Sequence, residues 1–194
     1  MPLIEEIILS LILGVGLSAA CGFRVFIPPL IISIAALSGH LELSPAFDWV
    51  ASYPALIALA TATVLEILCY YLPVVDNFMD TVATPAAIVA GAATTASMVA
   101  DTSPMLTWAI AVIAGGAAAA TVQATTVALR GASTLSTGGL ANPLVSSIEL
   151  GGAVATSVLA LIAPILTLIL IFLLIIAVRK FYLSRKAHQL LRPS

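Results

Sequence analysis

Four carboxylates and two arginines stand where a lipid-soluble chain would not be expected to tolerate them. Glu66 lies in ATATVLEILCYY and Glu149 in NPLVSSIELGG, both inside apolar stretches. A carboxyl group at such depth costs a few kcal/mol on insertion scales unless it is paired, protonated or facing water, so intramembrane ionisable groups often mark proton or ion routes. Each is therefore a candidate proton or ion carrier. The alternative is a structural hydrogen bond to a neighbouring helix. Asp76 and Asp80, in LPVVDNFMDTVATP, are spaced i, i+4 and share one face if that turn is helical. Two carboxylates so close favour a cation between them, although solvated acids at a helix end are the commoner arrangement.

Arg24 and Arg130 each precede a segment that starts with proline, at Pro28-Pro29 and at Asn142-Pro143. Helix N-termini carry free N–H groups and a positive dipole end, which favour an anion. With the hydroxyls of Ser133, Thr134, Ser136 and Thr137, and with Asn142 and Ser147 nearby, the arginines form a candidate cradle for an anionic solute. Arginine snorkelling to lipid phosphate is the competing use.

The elements that must position these groups follow from composition. The chain has 194 residues, 61% hydrophobic and 8% charged, with a mean hydropathy of +1.18, whereas soluble domains are about one quarter charged. An integral membrane protein is implied, organised as a single helical domain over residues 1–194. Apolar runs at about 4–22, 53–72, 81–99, 104–130 and 152–178 are each long enough to cross the hydrocarbon. They are continuous rather than alternating, which favours helices over a barrel. The expected fold is an all-α polytopic bundle of five to seven membrane segments.

Two short proline-started stretches, from Pro28 and from Asn142, complete the pattern. Proline suits the first helical turn, Asn142 is a good N-cap, and Ser38-Gly39 and Gly151-Gly152 are candidate stops. Aligning Pro29 with Pro143 places Ser33 on Ser147 and Ile34 on Ile148, and each copy is followed by a long helix containing Pro54 or Pro164. A weak internal repeat of 4–72 and 104–178 results, with 81–99 as linker helix. If the short helices cross, seven spans and parallel repeats follow, at the cost of a turn near Leu161 to Leu166. If they are re-entrant, five spans remain, the repeats are inverted and the half-helices enter from opposite faces. The shortness of 28–38 favours the re-entrant version. The small-residue stretches AGAATTASMVA and AGGAAAATVQATTVALRGAS suit close helix packing at the centre, and equally a contact between copies of the chain.

Five of the seven basic residues, Arg179, Lys180, Arg185, Lys186 and Arg192, lie in the tail 179–194. The positive-inside rule puts that tail in the cytoplasm and the protein in the cytoplasmic membrane. Glu5 and Glu6 stand where a signal peptide would be basic. Cys21 and Cys69 lie in apolar surroundings without ligand spacing. No nucleophile with a base partner, no metal motif around His40 or His188, no cofactor loop and no nucleic-acid signature is visible. The expectation is a non-enzymatic protein with the lipid bilayer and a small solute or ion as partners. It needs no cofactor.

Taken together, GLSAACGFRVFIPPL, LPVVDNFMDTVATPAAIVAG and STLSTGGLANPLVSSIE resemble a bacterial integral membrane family, the domain of unknown function numbered 4126. The resemblance covers nearly the whole chain and implies a small multi-helix membrane protein. It singles out Arg24, Pro29, Glu66, Pro73, Asp76, Asp80, Pro85, Thr134, Asn142, Pro143, Ser147 and Glu149. The family pattern often has an aspartate after the last of these, where this chain has Leu150. The functional expectation is a small-solute or ion transporter or channel with a path lined by carboxylates and hydroxyls. The alternative is a non-transporting scaffold or assembly partner.

Overall fold

The computed structural model describes residues 2–72, 75–100 and 102–173, with Ile176 and Lys180 beyond; the side chains of 2–4, 76 and 77 are outside that description. The described regular structure is helical throughout. In chain order it comprises α1 (Pro2–Cys21), α2 (Ile27–Leu37), a 3-10 turn (Pro45–Val50), α3 (Tyr53–Tyr70), α4 (Val75–Met98), α5 (Pro104–Ile110), a π segment (Ala111–Gly116), α6 (Ala117–Thr137) and α7 (Asn142–Ile162). A further short apolar helix, α8, covers Pro164–Leu173. The α5, π and α6 pieces form one rod of 34 residues. Among the described residues, four helices are long and apolar enough to cross a membrane: Tyr53–Tyr70, Phe78–Met98, Pro104–Thr137 and Asn142–Ile162. The protein is multi-pass.

Local chemistry sets most of these boundaries. Ser52 and Ser103 accept the Ala55 and Leu106 N–H groups and cap α3 and α5, each followed by proline in the first turn. Ser38 closes α2 and Gly39 takes φ 75°, a left-handed conformation that glycine adopts without steric penalty.

Three boundary expectations are corrected. The helix from Asn142 does not stop at Gly151-Gly152; it runs to Ile162, because two glycines weaken a helix without removing a hydrogen bond. It stops instead at Ala163, held at φ −143°, ψ 71°, since a residue before proline is driven out of the helical region and Pro164 has no N–H to give. The 152–178 run is thus broken at the place where the seven-span reading requires a turn. Second, Ala141 and not Asn142 holds the cap position of α7, without a side-chain cap. Asn142 is drawn to Thr134, donating from Nδ2 to Oγ1 at 3.1 Å. Third, α6 extends beyond the end of the 104–130 apolar run to Thr137, so the hydroxyls at 133–137 stand on its last turns.

The packing fixes direction. Gly16 abuts Ala160 while Gly152 abuts Phe23, so α1 and α7 are antiparallel. Arg24, just before α2, touches Ser146 of α7, and Ile32 of α2 shares a core cluster with Ala160 of α7, Leu17 and Met98. The helices α2 and α7 therefore run side by side in the same direction, and the opposed entry required by the re-entrant version is not found. Phe23, Thr156, Leu159, Thr167 and Ile171 line one shallow cavity, which folds α8 back antiparallel on α7. At the centre, α4 packs on α1 and on the π segment through small residues. A Cβ on Gly115 would meet the Gly91 carbonyl oxygen at 2.7 Å and the Thr95 hydroxyl closer still. The small-residue helix α4 lies at the middle, whereas the Pro104–Thr137 rod packs on it through Gly115 and Ala119 and is otherwise largely exposed. Ser33 and Ser147, aligned by the repeat, have different surroundings: the first is fully buried and donates to the Val50 carbonyl, the second is exposed and bonds Tyr71.

Candidate functional site

The ends of α1, α3 and α6 and the beginnings of α2, α4 and α7 meet at one end of the bundle. Glu149 lies seven residues into α7 and Glu66 four residues before the end of α3, so at 1.5 Å per residue the site sits roughly 6–10 Å inside the helix ends. Five ionisable side chains from five separate segments gather there. All are buried or nearly so: Arg24 is 1% exposed, Glu66 4%, Arg130 3% and Glu149 2%, and the Asp80 side chain is 15% exposed.

Arg130 is the hub. Its Nε donates to Glu149 Oε1 at 2.9 Å and its Nη2 to Oε2, the two-pronged geometry that suits a planar guanidinium. Its Nη1 lies 3.5 Å from Asp80 Oδ1. Arg24 Nη2 lies 3.6 Å from Glu149 Oε2 and donates to the Ser146 carbonyl at 3.0 Å. Both guanidinium carbons stand 3.9 Å from the centre of the Tyr70 ring, a distance at which the ring's negative face attracts a cation. The two cations would repel at this range without that ring and the three carboxylates.

Glu66 is placed differently. Its Oε1 accepts the Val25 N–H at 2.8 Å and its Oε2 the Phe26 N–H at 3.1 Å. It thus caps α2, whose own cap residue, Phe26, has no side chain able to do so. The carboxylate occupies the anion-favouring end of the helix dipole.

The other sequence candidates separate into those in the cluster and those outside it. Pro28 and Pro29 open α2 beside Glu66, and Pro143 stands in the first turn of α7. Ser136 and Thr137 are exposed and donate to carbonyls of their own helix, and Thr134 pairs with Asn142. The Ser133 hydroxyl is buried without a partner. These hydroxyls do not close around the arginines. Protein carboxylates take that place, and Glu149 pairs with Arg130. The Asp76 side chain, Pro73 and the tail beyond 180 lie outside the described residues.

Tyr70 and Ser146 belong to the site although their residue types did not advertise it. Ser146 Oγ donates to the Tyr70 carbonyl at 3.3 Å. Helical spacing was the available signal: Glu66 and Tyr70 are i, i+4, and Asn142, Ser146 and Glu149 follow i, i+4, i+7, which puts Ser146 rather than Ser147 on the inner face.

Further buried polar residues lie outside this cluster. Gln123 and Thr126 of α6 are buried. Ser18 lies within 2.8 Å of Thr95 Oγ1 and 2.5 Å of the Gly91 carbonyl, Cys21 meets Thr94 at 3.6 Å, and Ser97 donates to the Thr94 carbonyl. At the opposite end Ser44 donates to the Ala96 carbonyl and, with Glu6, Ser10 and Glu42, lines a polar cleft. Among the described residues no group of three or more His, Cys, Asp or Glu side chains is placed to hold a metal ion.

A family model described as "Domain of unknown function (DUF4126)" matches residues 11–182. The chain belongs to that family. The match takes in every member of the charge cluster, from Arg24 to Glu149. No curated protein and no solved structure matches the chain.

Proposed function

We propose that the protein is a small-solute or ion transporter or channel of the cytoplasmic membrane, and that the charge cluster is the closed latch of its path. The observation that carries this is the convergence of Arg24, Arg130, Glu66, Glu149 and Asp80 from five segments into one buried network. Burying ion pairs returns little net stability compared with apolar packing, and in a membrane intramembrane charges mark conduction or coupling sites. A network that ties five segments together at one end is suited to open and close a path between them. The buried polar side chains of Gln123, Thr95 and Ser18 and the polar cleft at Glu6 and Glu42 supply polar groups away from the cluster that suit such a path.

In this reading the chain crosses seven times, with α2 and α8 as short passes, and the charge cluster faces the cytoplasm together with the basic tail. The packing of α2 parallel to α7 supports it.

Flux in proteoliposomes with Glu66→Gln and Glu149→Gln tests the role of the carboxylates. Altered flux in folded variants is expected; wild-type flux in both removes the carboxylates from the mechanism.

One set of observations favours a second reading, a non-transporting scaffold. Each of Glu66 and Glu149 already has close protein partners, α2 N–H groups for one and Arg130 for the other, so both could serve only to stitch helices together. A lower melting temperature in the Gln variants, with no flux in wild type above empty vesicles, would select it.

A further inference from the structure

We propose that the π turn in the Pro104–Thr137 rod stores one residue of slack, and that taking it up carries α6 into a second register, one residue on, in which Arg130 leaves Glu149 and Asp80. The inference rests on the latch reading and supplies the movement that opens it. A π turn closes with i→i+5 hydrogen bonds where an α turn uses i→i+4, so it holds one residue more. Here it spans Ala111–Gly116, inside an otherwise α-helical rod. The preceding α5 is tied to the 3-10 turn by Trp108 against Phe47, with ring centres 6.3 Å apart. If the π turn becomes α while α5 stays in place, every residue of α6 advances to the place of its successor, about 100° around the axis and 1.5 Å along it. Arg130 then stands where Gly131 is now, an exposed position with nothing within 4 Å of a Cβ. Leu129 arrives where Arg130 was.

The sequence of α6 supports a second register independently of the π turn. Its buried residues are Ala119, Val122, Gln123, Thr126 and Arg130. One residue earlier stand Ala118, Thr121, Val122, Thr125 and Leu129. Alanine thus replaces alanine, threonine replaces threonine, and threonine replaces a valine of the same shape. The incoming hydroxyls are already satisfied within the helix, since Thr121 donates to the Ala117 carbonyl at 2.8 Å and Thr125 to the Thr121 carbonyl at 3.0 Å. The two faces differ in kind at positions 123 and 130, and at both a polar side chain leaves the interior. Gln123 sets the resting state: the shift takes its amide to the exposed place of Ala124, where lipid offers no partner, so the closed register is the lower in energy.

The crossings also suit such a movement. A Cβ on Gly22 of α1 would overlap the Ala119 carbonyl oxygen and lie 2.8 Å from the Gln123 nitrogen. One on Gly91 of α4 would lie 2.6 Å from the Ala119 Cβ and 2.9 Å from the Gly115 carbonyl oxygen. At both crossings glycine presents backbone rather than an interlocking side chain, and α6 turns past it without unseating a knob. Beyond α6, Gly138 and Gly139 have φ 64° and 88°, and the freedom of glycine lets this link take up the advanced residue.

Cysteine pairs in the full-length chain, with Cys21→Ala and Cys69→Ala, read the two registers. Thr134→Cys with Asn142→Cys reports the resting one, in which these residues touch at 3.1 Å. Ser133→Cys with Asn142→Cys reports the shifted one, in which residue 133 takes the place of 134. Under a thiol oxidant the Ser133 pair is expected to form slowly, several-fold faster with Gln123→Val, and not at all when Ile113, 73% exposed in the π turn, is deleted. That deletion closes the turn with both flanks in their present places, so the Thr134 pair should still form. Gln123 lies ten residues from Ser133, and mere looseness of the α6–α7 turn would not respond to it. Equal rates for the Ser133 pair in the three backgrounds overturn the proposal. A deletion variant that fails to fold overturns it as well, because slack that can be taken up can also be removed. Efflux of trapped potassium chloride from proteoliposomes separates this device from the reading it rests on. Register-dependent cross-linking with no efflux from any vesicle leaves the shift standing and refutes an ion path, whereas efflux that survives deletion of Ile113 refutes the shift as the opening movement and leaves the transport reading intact.

Discussion

Replacing Glu149 by glutamine removes one charge from the centre of the network while preserving shape. Arg130 contacts Glu149 through two prongs, one of them 2.9 Å long, and each side chain is 3% exposed. Arg24 stands a further 3.6 Å away. Removing one partner of a buried ion pair typically costs about 3–5 kcal/mol, because the other charge is left uncompensated. Coulomb's law gives the same scale: at 3.6 Å and an effective dielectric of about 20, 332/(20 × 3.6) is about 4.6 kcal/mol for the Arg24 contact alone before desolvation. At roughly 2–4 °C per kcal/mol for a chain of this size, Glu149→Gln should melt about 6–20 °C below wild type. Circular dichroism of the purified variant in detergent measures it. A double variant, Glu149→Gln with Arg130→Met, should recover only part of the loss, because Asp80 then lacks its contact at 3.5 Å. A loss below about 1 kcal/mol for the single variant, the value of a solvent-exposed pair, would refute the claim that these charges form one buried network.

Further outcomes follow from the same geometry. Gly115→Ala should destabilise by about 1–3 kcal/mol, since its Cβ would meet the Gly91 carbonyl at 2.7 Å, whereas Gly131→Ala, with open space around it, should be neutral or gain up to about 1 kcal/mol of helix propensity; paired melting curves decide. Tyr70→Phe keeps the ring under both guanidiniums and should cost little, while Tyr70→Leu should lose about 2 kcal/mol for each desolvated contact. Reporter fusions after Gly39 and after Gly138 should report opposite sides, the first outside and the second in the cytoplasm, because α2 runs away from the charge cluster and α6 runs past it. The reverse result would contradict the proposed orientation.

Much of the architecture was legible in the chain because lipid imposes a simple rule on it. Continuous apolar runs had to be helices, and proline marked the starts of α2, α3, α5 and α8. The stop of α7 was misread because Gly151-Gly152 looks like a terminator, although only Pro164 removes a hydrogen-bond donor. The direction of α2 relative to α7 is set by a contact between Arg24 and Ser146, 122 residues apart, and no periodicity encodes such a pairing. The ionisable members of the site were visible as misplaced charges. Which arginine meets which carboxylate was not, nor that Tyr70 would lie beneath both guanidiniums. Helical spacing carried the part that could be read, the common face of Asn142, Ser146 and Glu149, while hydroxyl content alone does not separate residues that face the cluster from Ser136 and Thr137, which bond their own helix.

The central claim is that the network opens to let something pass, and a reversible lock tests it most directly. Thr134 and Asn142 touch at 3.1 Å across the α6–α7 turn beside the cluster, so Thr134→Cys with Asn142→Cys should form a cross-link that holds these two segments together. Solute flux in proteoliposomes should fall to the level of empty vesicles on oxidation and return with reductant. Equal flux in the oxidised and reduced states, with the cross-link shown to be complete, would contradict an opening latch.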